Sequence, residues 1–234
     1  MTILTQITYL LYDLIHLVYP KICVACGESL LDHEDHICTN CLYELPKTNY
    51  HQTDDNPIAR LFWGRVFIQK ACSFFHFNKG SKFQTLIHNL KYNDKKEIGY
   101  ELGKHFGCDL SSSEDFKSVD VIIPVPLHAS KEKLRGYNQS EWIAKGLSSS
   151  MDIPVEAQNL VRIEASDTQT KKSRFERWEN VQSIFQVINP EALENKHVLL
   201  VDDVVTTGST LEACAQELLK VMNVKVSVAT LAVA

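Results

Sequence analysis

The chain has 234 residues, 44% of them hydrophobic, and a formal net charge of −5. That length suits one full α/β domain with a small appendage, and the composition is globular rather than disordered or fibrous. The negative balance argues against a general nucleic-acid coat while leaving room for a local basic groove, and no stretch reaches the ~18 apolar residues of a membrane helix.

Near the N-terminus, Ile3, Leu4, Ile7, Leu10, Leu11, Leu14, Ile15 and Val18 recur at helical spacing. The pattern predicts an amphipathic helix packed on the rest of the protein. A secretory signal is rejected, because no basic residue precedes Lys21 and because Asp13 and His16 interrupt the apolar run. A peripheral membrane anchor is the weaker alternative, since the polar face lacks Lys and Arg.

Cys23, Cys26, Cys38 and Cys41 then form two C-x2-C pairs separated by eleven residues. Each pair can wrap one side of a tetrahedral ion, and four thiolates leave no open position, so the pattern predicts a structural Zn²⁺. A redox dithiol needs only one pair. Disulfides are disfavoured because Cys72, Cys108 and Cys214 stand alone, a usage that suits a reducing compartment and hence the cytoplasm. Gly27 suits a turn with N–H groups facing thiolate, and His33 and His36 read as exposed loop residues rather than ligands. Residues 1–50 are therefore expected to form a helix and a zinc module whose metal supplies folding energy. The polar stretch HQTDDNP, 51–57, marks the boundary with a main domain at 57–234.

In the main domain, 66–77 reads as β-structure and 78–80 as a turn. Phe83, Leu86, Ile87 and Leu90 outline a helix, and a second one is predicted over 97–106. Lys79, Lys82, Lys91, Lys95 and Lys96 give this region a basic face, usually a solvated surface, with Lys91 the candidate for anion binding. Residues 111–115 read as a loop. A strand over 119–125 runs into Pro124-Val125-Pro126-Leu127-His128, where two prolines predict a rigid turn rather than a helix start. Lys131, Lys133 and Arg135 follow, and Gly136 to Ser140 open a helix carrying Trp142, Ile143 and Leu147. Rigid loop, cations and helix N-terminus together make one anion site.

Residues 160–163 look like a strand. Residues 164–180 are polar and dense in charge, and a loop of that kind inside a compact domain reads as a mobile lid. Residues 181–187 return to apolar character. Val198 to Val201 is a short apolar run suited to a buried parallel strand. Asp202 and Asp203 stand at its predicted end, followed by Thr206, Thr207, Gly208, Ser209 and Thr210. From about Thr210, Leu211, Cys214, Leu218 and Leu219 suit one helix face, and a last strand is predicted over 224–233. Strand, acid pair, hydroxyl-rich turn and helix N-terminus make a second phosphate cradle at the carboxyl edge of a sheet. Walker A, GxGxxG and GxSxG patterns are absent, so kinase, dinucleotide and serine-hydrolase readings have no support.

The turn resembles the phosphoribosyl pyrophosphate (PRPP) loop of type I phosphoribosyltransferases. Across nearly its whole length the chain resembles the ComF family of competence proteins. The likeness rests on the four-cysteine cluster and on LIHNLKY at 86–92, IPVPLH at 123–128, RGYNQSE at 135–141 and VDDVVTTGST at 201–210. It also rests on the series Gln169, Arg177, Asn180, Val181 and Phe185. The resemblance implies an α/β fold with a type I phosphoribosyltransferase-like parallel sheet flanked by helices, and PRPP with Mg²⁺ as ligands. It implies that Thr206, Thr207, Gly208, Ser209 and Thr210 hold the 5′-phosphate, and that Asp202 and Asp203 serve catalysis by binding the ribose hydroxyls and positioning Mg²⁺. Leu127, His128 and Arg135 would receive pyrophosphate, under a lid carrying Gln169, Lys171, Lys172, Arg174 and Arg177. Two readings stay open. One is a phosphoribosyltransferase of unidentified acceptor, linked by family to DNA uptake. The other is a non-catalytic accessory protein that binds PRPP and single-stranded DNA alongside other uptake proteins, with the strand on the zinc module and the basic face. The acceptor and the oligomeric state are not legible.

Overall fold

The structure is a computed structural model that describes residues 19–163 and 184–234. The amphipathic helix predicted at 3–18 and the lid predicted at 164–180 lie outside those residues. Six described strands are β1 (Ala71–His76), β2 (Val121–Pro124), β3 (Leu160–Arg162), β4 (Phe185–Val187), β5 (His197–Val205) and β6 (Lys225–Val233). Four of them form one parallel sheet in the order β1-β6-β5-β2, while β3 and β4 pair as a separate antiparallel ribbon.

Leu200 of β5 lies between Ile123 of β2 and Val228 of β6, so the centre of the sheet is apolar in every direction. Alternate residues feed two cores. Val198 and Leu200 join Ile123, Leu211, Cys214 and Leu218 on one face, whereas Leu199 and Val201 join Phe74, Leu102, Phe106, Ile143 and Leu147 on the other. Burial on both faces is why β5 reads as an unbroken apolar run rather than an alternating one.

The α-helices are α1 (Thr39–Tyr43), α2 (Pro57–Arg60), α3 (Gln84–Tyr92), α4 (Glu97–Ser111), α5 (Ala129–Arg135), α6 (Gln139–Met151) and α7 (Ser209–Leu218). Helices α4 and α6 meet backbone to backbone. A Cβ at Gly103 would stand 2.4 Å from the Ile143 carbonyl oxygen, and one at Gly146 would stand 2.1 Å from that of Tyr100. No described helix is long and apolar enough to cross a membrane.

The cysteine module packs into the main domain. Cys23, Ile37, Cys41 and Leu45 share a core with Phe74, Leu102 and Phe106. The chain that leaves it covers the outer edge of β1, where Thr48 N donates to Phe74 O at 3.0 Å and His76 N to Pro46 O at 2.9 Å. An edge that would otherwise offer free N–H and C=O groups is thereby closed.

Helix α4 runs on past the expected end at Phe106 to Ser111, and three further elements differ from the sequence reading. The strand expected from Val66 begins at Ala71, because the amides of Arg65 and Val66 both donate to Phe62 O and turn the chain there. Helix α5 starts directly after the proline loop, because the His128 side chain caps it by accepting from Ser130 N at 3.2 Å. Strand β5 does not stop before the acid pair but runs through Asp202 and Asp203 to Val205, since Asp202 still pairs with Thr230 and Val204 with Ala232.

Candidate functional site

Strand β5 passes into α7 through Thr206, Thr207 and Gly208. Gly208 has φ +74, a left-handed conformation that glycine adopts without a steric cost. It caps a helix of ten residues beginning at Ser209, one earlier than the expected Thr210. The first amides of that helix have no intrahelical acceptor. Together with Asp202, residues Thr206, Thr207, Gly208, Ser209 and Thr210 line one shallow pocket, in which the Thr207 and Ser209 hydroxyls lie 3.0 Å apart. Donors and the positive end of a helix dipole thus converge on one small volume, as anion binding requires. Arg65, which the sequence reading passed over, braces this loop from behind. Its Nη1 donates to Leu61 O at 3.1 Å and Thr207 O at 3.3 Å, and its guanidinium pairs with Glu212 of α7.

The acid pair adjoins that loop. Oδ1 of Asp202 accepts from the Ser140 hydroxyl at 2.9 Å and from the Asp203 amide at 2.8 Å. Burial, and then the neighbouring Asp203 carboxylate, nevertheless push Asp202 up to about 7. Oδ2 of Asp203 lies 3.0 Å from Nζ of Lys91, at the end of α3. The pair therefore already accommodates a cation, and hard oxygen ligands of this kind can hold Mg²⁺ or accept from hydroxyls.

The RGYNQSE segment joins this centre to the proline loop, one residue at a time. Arg135 Nη1 donates to Gln139 Oε1 at 2.7 Å, and Gly136 ends α5. The Tyr137 hydroxyl donates to Leu90 O at 2.5 Å. Asn138 donates to Val125 O at 3.0 Å and caps α6 by accepting from Ser140 N at 3.1 Å. Ser140 then reaches Asp202. Val125 N donates to Val201 O at 2.8 Å, which places the proline loop at the carboxyl end of β2 beside β5. Leu127 and His128 are half-buried there. The proline loop and the turn at 206–210 thus share one edge of the sheet. Arg135 turns instead toward Gln139 and the ring of Tyr92, 5.3 Å away. Gln169, Lys171, Lys172, Arg174 and Arg177 lie outside the described residues.

The lysines of 79–96 do not act as one face. Lys82 pairs with Glu44, Lys91 with Asp203, and Lys96 lies 5.0 Å over the Trp142 ring.

In the cysteine module the sulfurs of Cys23, Cys26, Cys38 and Cys41 all lie within 4.8 Å of one another. The Sγ atoms of Cys26 and Cys38 are 3.8 Å apart, and the edge of a tetrahedron with ~2.3 Å zinc–sulfur bonds is ~3.8 Å. The four sulfurs can hold one zinc ion. Cys38 N donates to Cys23 Sγ at 3.3 Å and Cys41 N to Cys38 Sγ at 3.4 Å. Burial acts to raise the Cys23 thiol, but backbone N–H groups of Cys38, Cys26 and Ala25 outweigh it and bring the thiol to about 7. The turn at Gly27 forms with φ +81, although its amide faces the Cys23 carbonyl at 2.8 Å rather than a thiolate. His33 is exposed and His36 half-buried, and neither belongs to the sulfur cluster. Glu34, unnoticed in the sequence, fastens the loop between the two pairs by accepting from Thr39 N at 2.6 Å and Leu31 N at 2.9 Å, which brings it down to about 2.

Residues 138–234 match the family described as the phosphoribosyl transferase domain. Over 202 residues the chain is 33% identical to DNA utilization protein YhgH of Escherichia coli O157:H7, covering 85% of this chain and 84% of that protein. Competence protein F of Haemophilus influenzae is 28% identical over 202 residues, 85% of this chain and 78% of its own. Competence protein ComFC of Bacillus subtilis is 28% identical over 201 residues, with coverages of 86% and 78%. Among solved structures, glutamine PRPP amidotransferase from B. subtilis aligns with a TM-score of 0.42 and 20% identity, over 61% of this chain and 30% of that one. Sequence relatives that span most of both chains, together with the parallel sheet and its phosphoribosyl transferase match, establish that this chain belongs to the ComF family of type I phosphoribosyltransferase-like proteins.

Proposed function

We propose that the chain binds PRPP with Mg²⁺ at the carboxyl edge of β5 and β2 and displaces pyrophosphate from C1 of the ribose. The observation that supports this most is the Ser140–Asp202 hydrogen bond, because it ties the acid pair to the segment that positions the proline loop. A ligand anionic at both ends, with a hydroxyl-bearing middle, suits that arrangement better than a simple phosphate ester. Thr206, Thr207, Gly208, Ser209 and Thr210 would hold the 5′-phosphate, and Asp202 and Asp203 the ribose hydroxyls and Mg²⁺. Leu127 and His128 would receive pyrophosphate through nearby backbone, with Arg135 and the lid cations Lys171, Lys172, Arg174 and Arg177 neutralising it beside Gln169. When bound, Mg²⁺ supplies charge neutralisation for the leaving pyrophosphate. The protein's part is to position the sugar and to stabilise charge without a covalent nucleophile. Cys23, Cys26, Cys38 and Cys41 would hold a structural Zn²⁺.

The names of the relatives, competence and DNA utilization proteins, extend the proposal to DNA uptake in the cytoplasm, with single-stranded DNA and other uptake proteins as partners. The test is pyrophosphate release from PRPP and Mg²⁺ over a panel of acceptors. Wild-type protein should release it, and an Asp202→Asn/Asp203→Asn variant should be slower by about 100-fold or more. PRPP binding with no release on any acceptor favours the non-catalytic accessory reading. No PRPP binding at millimolar concentration overturns both.

A further inference from the structure

Beside Lys91 lies a groove of about 680 Å³ lined by Lys91, Tyr92, Asp94, Lys96, Lys133 and Arg135 among others. Its volume falls within the range of small-molecule sites. Four cations there face one carboxylate. Lys91 is engaged with Asp203, while neither Lys96 nor Lys133 has a carboxylate partner among the described residues. The groove is held in shape by the Tyr137 hydroxyl on Leu90 O and by the Arg135–Gln139 bond.

Its second property is aromatic. Tyr92 is 64% exposed, with the Arg135 guanidinium 5.3 Å and the His88 ring 5.1 Å from its centroid. A plain phosphate or pyrophosphate would use the cations and leave that ring idle. A nucleobase would stack on it, beside a guanidinium that strengthens such contacts. We infer that this groove is a nucleotide-binding site, with the phosphate on Lys96 and Lys133 and the base on Tyr92. The nucleotide is either free or the terminal residue of a single strand. The inference goes beyond the PRPP reading and does not need it, although Lys91, common to the groove and to Asp203, would set the two ligands side by side.

The test is titration of the full chain at low salt, without PRPP, using dTMP, thymidine, inorganic pyrophosphate, and a short oligothymidylate with and without a 5′-phosphate. The dissociation constant for dTMP should rise tenfold or more in Tyr92→Ala and in Lys133→Glu, and Tyr92→Phe should bind as the wild type does. Thymidine should bind far more weakly than dTMP. Tighter binding of the 5′-phosphorylated strand than of dTMP assigns the site to strand ends, and the reverse assigns it to free nucleotides. Absence of dTMP and strand binding overturns the inference. So does binding that Tyr92→Ala leaves unchanged while pyrophosphate binds as well as dTMP, since the groove would then be a simple polyanion site. PRPP binding by the same wild-type protein, measured in parallel, decides the proposed function separately.

Discussion

Asp202 takes two donors on one oxygen and still holds its proton to about 7, because burial and the Asp203 carboxylate oppose its charge. An unfolded aspartate releases its proton near ~3.9. Between those values the folded chain binds a proton that the unfolded chain has lost, so stability falls as pH rises through this window. The contribution is full below ~4 and gone above about 7. Asp202→Asn keeps an oxygen for Ser140 and cannot ionise. It should therefore be more stable than the wild type at pH 8 by about 1–3 kcal/mol, with little difference at pH 4. Urea unfolding at both pH values measures this, and an equal shift at both would show that charge is not the cause. The same substitution should slow the proposed chemistry, which is the usual relation between a binding site and the stability it costs.

Among the elements, the α4–α6 contact decides where Ser140 sits, because Ser140 is on the first turn of α6. Gly103 is within a helix, where alanine is normally favoured by about 1 kcal/mol. Here the added Cβ would meet the Ile143 carbonyl at 2.4 Å, so the backbones must separate. Gly103→Ala should therefore destabilise by about 1–3 kcal/mol, opposite in sign to the propensity effect, and should weaken PRPP binding by moving Ser140 from Asp202. A lower urea midpoint together with weaker PRPP binding is expected; a raised midpoint would show that the interface yields. Gly99, Gly103 and Gly107 recur every four residues, a signal of close helix approach that hydrophobic periodicity alone does not register. The local structure of the turn at 206–210 was legible because strand, acids, turn and helix are contiguous, so local rules suffice. Its supports were not. Arg65 reaches Thr207 across 142 positions and Ser140 reaches Asp202 across 62, and no spacing rule connects them. The late start of β1 and the existence of α5 depend likewise on particular bonds, at Phe62 O and at the His128 side chain, rather than on pattern.

At the scale of the whole molecule, the cysteine module and the sheet share a core, so the metal proposed for the module bears on the entire chain. Ile37, Cys41 and Leu45 are 1%, 0% and 5% exposed within the cluster that also holds Phe74 and Phe106, and they could not leave it without opening the outer face of α4. Lys47 joins the module's exit to α4 through Asp109 at 2.8 Å, and Lys82 joins α1's end to the start of α3 through Glu44. Both pairs are partly exposed and contribute little by themselves; the shared apolar contacts carry the coupling. Four cysteine sulfurs gathered with no disulfide among the described residues mean that the proposed ion would add to the Glu34 bonds in holding the loop from Cys23 to Cys41. Chelation of the metal should therefore lower the unfolding temperature of the full chain in one cooperative transition and uncover the β1 edge, with aggregation following. Calorimetry with and without a chelator, alongside zinc content, reads this directly. Two transitions, of which only a small one moves on chelation, would show that the module folds apart from the sheet and that the shared core couples them weakly.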